Sequence, residues 1–283
     1  MHYREIKPTT PLRRFVECFW TLESGSSESG GSAAAPPERI LPDGCVELIL
    51  NFGERFFQHV DGGQQLQPGN FVVGQMTGPI LISPSGPVEL LGIRFQPGGS
   101  RIFLTAPAHE FTDTIVDLGS FSGAFERELL AACARAGTLD ERVVAADAYL
   151  CGCLVKSEYD LQLIKLATSI IDRRGVVSVD QLAASAGVSS RQLERRFLRE
   201  IGIGPKLLAR IVRFQQVFRA VEQCDSAWAA VAVECGYYDQ AHLIRDFNQF
   251  AQQTPAVLFA SQSSLTESFT RKTRTSDFSN TVS

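Results

Sequence analysis

Two segments fifty residues apart carry the same short pattern, and that repeat restricts the fold more than anything else in the chain. Gly187 is followed by Leu193, Arg195 and Phe197, and Gly236 by Leu243, Arg245 and Phe247. In the first copy Ser178-x-x-Gln181 opens a helix that presents Leu182, Ala183 and Ala186, small enough for another helix to cross closely. Gly187 turns the chain, Ser189-x-x-Gln192 caps a second helix, and Leu193 and Phe197 point inward one turn apart. In the second copy Ser226 to Glu234 reads as a helix with Val231 and Ala232, Gly236 as the turn, and Asp239 as the cap of the next helix. Its turn is one residue longer. Helix, glycine turn, helix is the unit whose second member enters the DNA major groove.

Between the copies, Pro205 to Glu222 predicts one amphipathic helix with Leu207, Leu208, Ile211, Phe214, Val217, Phe218 and Val221 on its inner face. Eighteen residues make a rod of ~27 Å. With the width of the flanking helices, such a rod holds two recognition helices about one DNA turn, ~34 Å, apart.

The charge distribution agrees. The chain is acidic, with 27 Lys/Arg against 31 Asp/Glu, yet residues 160–260 hold 12 Lys/Arg against 10 Asp/Glu. Arg191, Arg195 and Arg196 gather on the first recognition helix with Glu194 among them. A solvated, salt-bridged helix face is the competing reading of such a cluster.

With these residues in view, 160–260 resembles the double helix-turn-helix domain of AraC-type (AraC/XylS) transcription regulators. Leu182, Ala183, Gly187, Ser189, Leu193, Arg195 and Phe197 carry the resemblance in the first copy. Val231, Ala232, Gly236, Tyr237, Leu243, Arg245, Phe247 and Pro255 carry it in the second, within GYYDQAHLIRDFNQFAQQTP. Gln253 stands where the family has glycine, and Phe259 near its Tyr-Arg. The resemblance implies double-stranded promoter DNA as partner.

Arginine can hold guanine O6 and N7 with its planar fork, glutamine can do the same for adenine, and a carboxylate can accept from cytosine. The outward positions of the first recognition helix are Ser190, Arg191, Glu194 and Arg195, with Arg199 a backbone-contact or ion-pair candidate. Those of the second are Asp239, Gln240, Ala241, His242 and Arg245. Arg191, Arg195, Gln240 and Arg245 are the expected base readers. Arg195 and Arg245 also suit phosphates.

The first ~110 residues read as short strands separated by turn formers such as Pro42-Asp43-Gly44, Asp61-Gly62-Gly63 and Ser85-Gly86-Pro87. Cys18–Glu23, Val46–Phe52, Phe71–Gln75 and Glu89–Gln96 are the clearest. PERILPDGCVELILNFG, VGQMTGP and LLGIRFQPGG resemble a module often found ahead of AraC-type domains, which implies a sensor with a cupin-like β-barrel. Glu47 and Arg94 interrupt apolar strands and either face outward or orient a small ligand in an apolar pocket. In the second case Phe52, Phe71 and Phe95 help to line it.

The expected fold is α+β: a β-rich barrel or sandwich over 1–120, a helical connector or dimerisation region over 121–158, the DNA-binding domain over 159–260, and a disordered tail over 261–283. Gly25–Pro37 is low-complexity and predicts a mobile loop. No signal-peptide core and no run of ~18 apolar residues is present, and the seven scattered cysteines suit a reducing, cytoplasmic setting. No cofactor, metal or membrane is expected. Cys151-Gly-Cys153 lacks partners at zinc spacing and predicts buried helix thiols, the four histidines are far apart, and no phosphate loop appears. The function these observations imply is a sequence-specific transcription regulator modulated by a small-molecule effector, with RNA polymerase and a second copy of the chain as further candidate partners. Two rival classes are a DNA-repair alkyl-transfer enzyme with a helix-turn-helix domain, which needs an activated cysteine, and a ligand-independent dimeric DNA-binding protein.

Overall fold

A computed structural model describes residues 1–24, 37–154, 160–223 and 227–260. The low-complexity stretch up to residue 36, the tail 261–283, Val155, Cys224 and Ser226 lie outside the described residues.

Among the described residues the N-terminal half contains ten strands: β1 (His2–Ile6), β2 (Val16–Glu23), β3 (Glu38–Ile40), β4 (Val46–Asn51), β5 (Phe56–Val60), β6 (Gly63–Leu66), β7 (Phe71–Val73), β8 (Ile80–Pro84), β9 (Glu89–Phe95) and β10 (Ile115–Asp117). All pairings are antiparallel, in a six-stranded sheet ordered β1-β2-β9-β4-β7-β10 and a four-stranded sheet ordered β3-β8-β5-β6. The two sheets are separate, so the strands form a sandwich rather than a closed barrel.

Alternation along the central strands sorts two faces. Leu48 and Leu50 of β4 and Leu91, Ile93 and Phe95 of β9 share one buried cluster. Ile49 and Leu90 share another with Phe56 of β5. Close approach on this second face demands glycine at 92, because a Cβ there would lie 1.9 Å from the Trp20 indole. The first face is covered by α1 (Gly119–Cys133) and α2 (Leu139–Leu154), whose Leu129, Cys133, Val143, Ala146 and Leu150 complete that cluster. Over these residues the helical segment packs on the N-terminal sheet.

Seven helices follow among the described residues: α3 (Leu161–Asp172), α4 (Val179–Ser185), α5 (Ser190–Ile201), α6 (Pro205–Gln223), α7 (Trp228–Glu234), α8 (Gln240–Phe250) and α9 (Pro255–Ala260). Leu193, Phe197, Leu243 and Phe247 are fully buried against Ile211, Phe214, Val217 and Phe218 of α6. At 19 residues, α6 is about 28 Å long. α8 ends at Phe250 with Ala251 as its C-cap, and the left-handed residue that follows is Gln252 (φ 53°), not the Gln253 singled out in the sequence.

The halves meet through the β3–β4 loop and the segment before α1. Leu41 is buried in the helical core, Gln215 of α6 donates to the Pro42 carbonyl at 2.6 Å, and Arg39 donates to the Ala251 carbonyl at 2.9 Å. Thr112 donates to the Gly202 carbonyl at 2.8 Å, and Arg101 Nε lies 3.3 Å from Glu200 Oε2.

Candidate nucleic-acid interface

The two copies are closed by the same backbone geometry. At the first turn Gly187 (φ 67°) donates to the Ala184 carbonyl and Val188 to that of Ala183. At the second Gly236 (φ 76°) donates to Val233 and Tyr237 to Ala232. Only a residue free of a Cβ adopts this left-handed turn without cost. Each recognition helix is then capped by a side chain. Ser189 and Gln192 form a complete capping box, and Asp239 Oδ1 accepts from the His242 amide at 2.7 Å. The first helix of the second copy, α7, begins at Trp228 behind Ala227, with no side-chain cap.

α6 holds both copies. Its Arg213 donates to the Gly175 carbonyl at 2.9 Å, at the end of α3. Its Arg210 donates from Nε and Nη2 to Asp246 Oδ1 of α8, at 3.0 and 2.6 Å, with Asp246 almost wholly buried.

The residues expected to face DNA fall into two groups. Arg191, Arg195, Gln240, Ala241 and Arg245 are exposed, and the three arginines and Gln240 have no side-chain hydrogen-bond or ion-pair partner among the described residues. The others are engaged within the protein. Ser190 donates to Asp180 at 2.6 Å, tying α5 to α4. Glu194 lies against the backbone before α6, where a Cβ on Gly204 would come 2.1 Å from its Oε1. Arg199 pairs with Glu200 at 2.6 Å beside the junction of the two halves. Asp239 is the cap described above, and the His242 ring meets the Tyr237 ring edge-on at 5.3 Å. Arg196 forms an ion pair with Asp160 at 2.5 Å, the intradomain alternative expected of such a charge.

A further exposed side chain stands at the second turn. Val188 and Tyr237 occupy equivalent hydrogen-bonded positions, so the extra residue in the second turn is Tyr238. It is 90% exposed, immediately ahead of the Asp239 cap. The one-residue difference in turn length was the signal that could have found it.

In the N-terminal half the candidate pocket residues separate by strand face. Glu47 and Arg94 are cross-strand partners on the face toward the small sheet. Arg94 is buried, with its Nε 2.7 Å from Glu47 Oε1 and 3.4 Å from Asp43 Oδ2, and its Nη1 3.3 Å from Glu5 Oε1. Glu47 also accepts from Trp20 Nε1 at 3.2 Å. Burial raises the Asp43 carboxyl to about 7 despite Arg94, and likewise pushes Glu5 above its ordinary value. Glu47 and Phe71 line a cavity between the sheets. Phe52 and Phe95 do not line it. Phe95 stacks on Phe103 at 5.5 Å on the opposite face, and Phe52 lies under the Arg142 guanidinium. Adjacent strand positions such as 94 and 95 point to opposite sides, so they cannot share one cavity. Cys151 and Cys153 are half-buried rather than buried. Among the described residues, no group of three His, Cys, Asp or Glu is placed to hold a metal ion, and no helix is long and apolar enough to cross a membrane.

These features define a protein with paired helix-turn-helix units on one central helix, behind a β-sandwich. Residues 182–261 match a family model described as a helix-turn-helix domain, and residues 4–117 match one described as a domain of unknown function (DUF6597). A relative from Haemophilus influenzae, described as an uncharacterized HTH-type transcriptional regulator, is 31% identical over 78 residues. The match covers 28% of this chain and 26% of the relative, so it spans about a quarter of that protein's length. Among solved structures, ToxT from Vibrio cholerae O395 aligns with a TM-score of 0.42 at 9% identity, over 79% of this chain and 96% of that one. The same protein bound to (E)-4-(8-methylnaphthalen-1-yl)but-3-enoic acid aligns at 0.44 and 10% identity, over 85% and 98%. The C-terminal helices are an AraC-type helix-turn-helix domain.

Proposed function

We propose that the chain is a sequence-specific DNA-binding transcription regulator, reading two successive major-groove segments with α5 and α8, and that a small molecule in the N-terminal sandwich modulates it. The observation that carries the DNA reading is the pair of capped recognition helices, with Arg191 and Arg195 of α5 and Arg245 of α8 exposed and unpartnered among the described residues, both packed on one central helix. Arg191 and Arg195 of α5 and Gln240 and Arg245 of α8 are the base readers. Tyr238 joins them at the edge of α8, where its phenol suits a phosphate and its ring a sugar. Ser190, Asp239 and His242 serve the architecture of the two units, and Arg199 the junction.

Coupling between the halves runs through the β3–β4 loop and the Thr112 and Arg101 contacts, which join sandwich to helices directly. α1 and α2, within the segment read as a connector, pack on the sheet. An alkyl-transfer enzyme is disfavoured by the thiols themselves. Burial pushes Cys18 and Cys45 well above their ordinary value, the reverse of an activated nucleophile. Competition binding tests the reading. A duplex carrying the preferred sequence should outcompete unrelated duplex by at least ~10³ at near-physiological salt; a ratio near one overturns it.

A further inference from the structure

The sandwich holds a cavity of about 60 Å³, against the ~10–15 Å³ that a single buried water needs. Its walls are apolar and partly aromatic, with Trp20, Phe56 and Phe71 among them. Two of its polar lining residues are carboxylates, Asp43 and Glu47. Behind them Arg94 faces three carboxylates, those of Glu5, Asp43 and Glu47, each within 3.4 Å of a guanidinium nitrogen. One positive charge set against three carboxylates leaves the site short of a cation, and Arg94 is already committed, so it offers nothing to an anionic ligand. A second and independent observation points the same way. Gln67 is 6% exposed and lines the cavity, yet its side-chain amide has no hydrogen-bond partner among the described residues. Its amide, on the cavity wall, keeps its donors and acceptor for a group inside the cavity.

Asp43 belongs to the loop that joins the halves. Leu41, two residues before it, is buried in the helical core, and the Pro42 carbonyl accepts from Gln215 of α6. The Gly44 carbonyl accepts from Gln75 at 2.7 Å, and a Cβ on Gly44 would lie 3.0 Å from Leu208 of α6. A group that moves the Asp43 carboxylate therefore moves backbone that contacts the helix holding both recognition helices.

We propose that the cavity between the two sheets binds a small organic cation with an apolar body, held by Asp43, Glu47 and Gln67 against the aromatic walls, and that α6 reads its occupancy through residues 41–44. Aromatic faces and carboxylates together form a setting that favours a desolvated ammonium group. The ligand class stands on the cavity alone, and only the second half rests on the regulator reading. Because Asp43 titrates at about 7, with Arg94, Glu47, Glu17 and Cys45 around it, ammonium affinity should fall as the pH drops below that value.

Isothermal titration calorimetry on the full chain at pH 8 tests the first half with three matched probes: n-butylamine, n-butanol and butyrate, repeated with benzylamine, benzyl alcohol and benzoate. The amine of each series should bind at least tenfold more tightly than the alcohol, with no heat from the carboxylate. E47Q and Q67M should each weaken the amine at least fivefold. Amines that do not bind, or carboxylates that bind as tightly, overturn the ligand class without any variant being needed. For the second half, the amine should shift the affinity for the selected duplex at least threefold, and D43N should abolish the shift. Amine binding with unchanged DNA affinity overturns the coupling alone. A chain without sequence-specific DNA binding sinks the regulator reading instead, and the calorimetry still decides the ligand.

Discussion

Arg210 and Asp246 fix the second recognition helix to the central one: Nη2 lies 2.6 Å from Oδ1, and Nε donates to the same oxygen at 3.0 Å. Asp246 is almost fully buried, so removing the guanidinium leaves a buried carboxylate without its cation. Arg210→Ala should destabilise the protein by ~3–5 kcal/mol. Urea denaturation checks this. A loss below ~1 kcal/mol would mean that the pair does not hold α8 in place.

The exposed arginines should behave differently from the paired one. Arg191→Ala, Arg195→Ala and Arg245→Ala should leave stability within ~0.5 kcal/mol, and each should cost ~1–3 kcal/mol of discrimination at one base position. Arg196→Ala should leave base preference intact and reduce stability by up to ~1 kcal/mol, because its pair with Asp160 is about one-third exposed. Affinity measured on single-position duplex variants separates the two behaviours.

Tyr238→Ala should weaken binding to all duplexes alike, by ~1–2 kcal/mol, since a phosphate contact carries no sequence information. At 90% exposure its removal should not alter the unfolding midpoint. Anisotropy titrations on preferred and unrelated duplexes check the uniformity. A loss confined to the preferred duplex would assign Tyr238 to base reading.

Gln252 carries a side chain in a left-handed conformation just past α8, where glycine is unstrained. Gln252→Gly should therefore stabilise the chain by ~1 kcal/mol. Thermal unfolding reads it directly, and a lowered midpoint would mean that the Gln252 side chain contributes more than the strain costs.

The C-terminal half was legible in the sequence because its signals are local. Gly187, Gly236, Ser189 and Asp239 sit where a turn or cap needs them, and Leu193, Phe197, Leu243 and Phe247 are buried as their spacing demands. The approach of Glu194 to Gly204 was not legible, because chain direction after α5 decides it. In the sandwich, β4 and β9 stood out as apolar runs. β6 (GQQL) is wholly exposed and carries no such pattern, so only its pairing with β5 defines it. That Phe95 opposes Arg94 followed from strand parity alone, whereas the convergence of Glu5, Asp43 and Glu47 on Arg94 required three separate segments to come together.

The central claim is that two recognition helices read DNA from one rigid frame, and selection of bound sequences from random duplex DNA with the purified chain tests it most directly. At near-physiological salt the account predicts a motif of two blocks about one helical turn apart, ~10–10.5 base pairs centre to centre, whose occupancy is lost when five base pairs are inserted between them. Recovery of no motif, with binding that disappears as salt rises, would show attraction to phosphates alone and contradict the account.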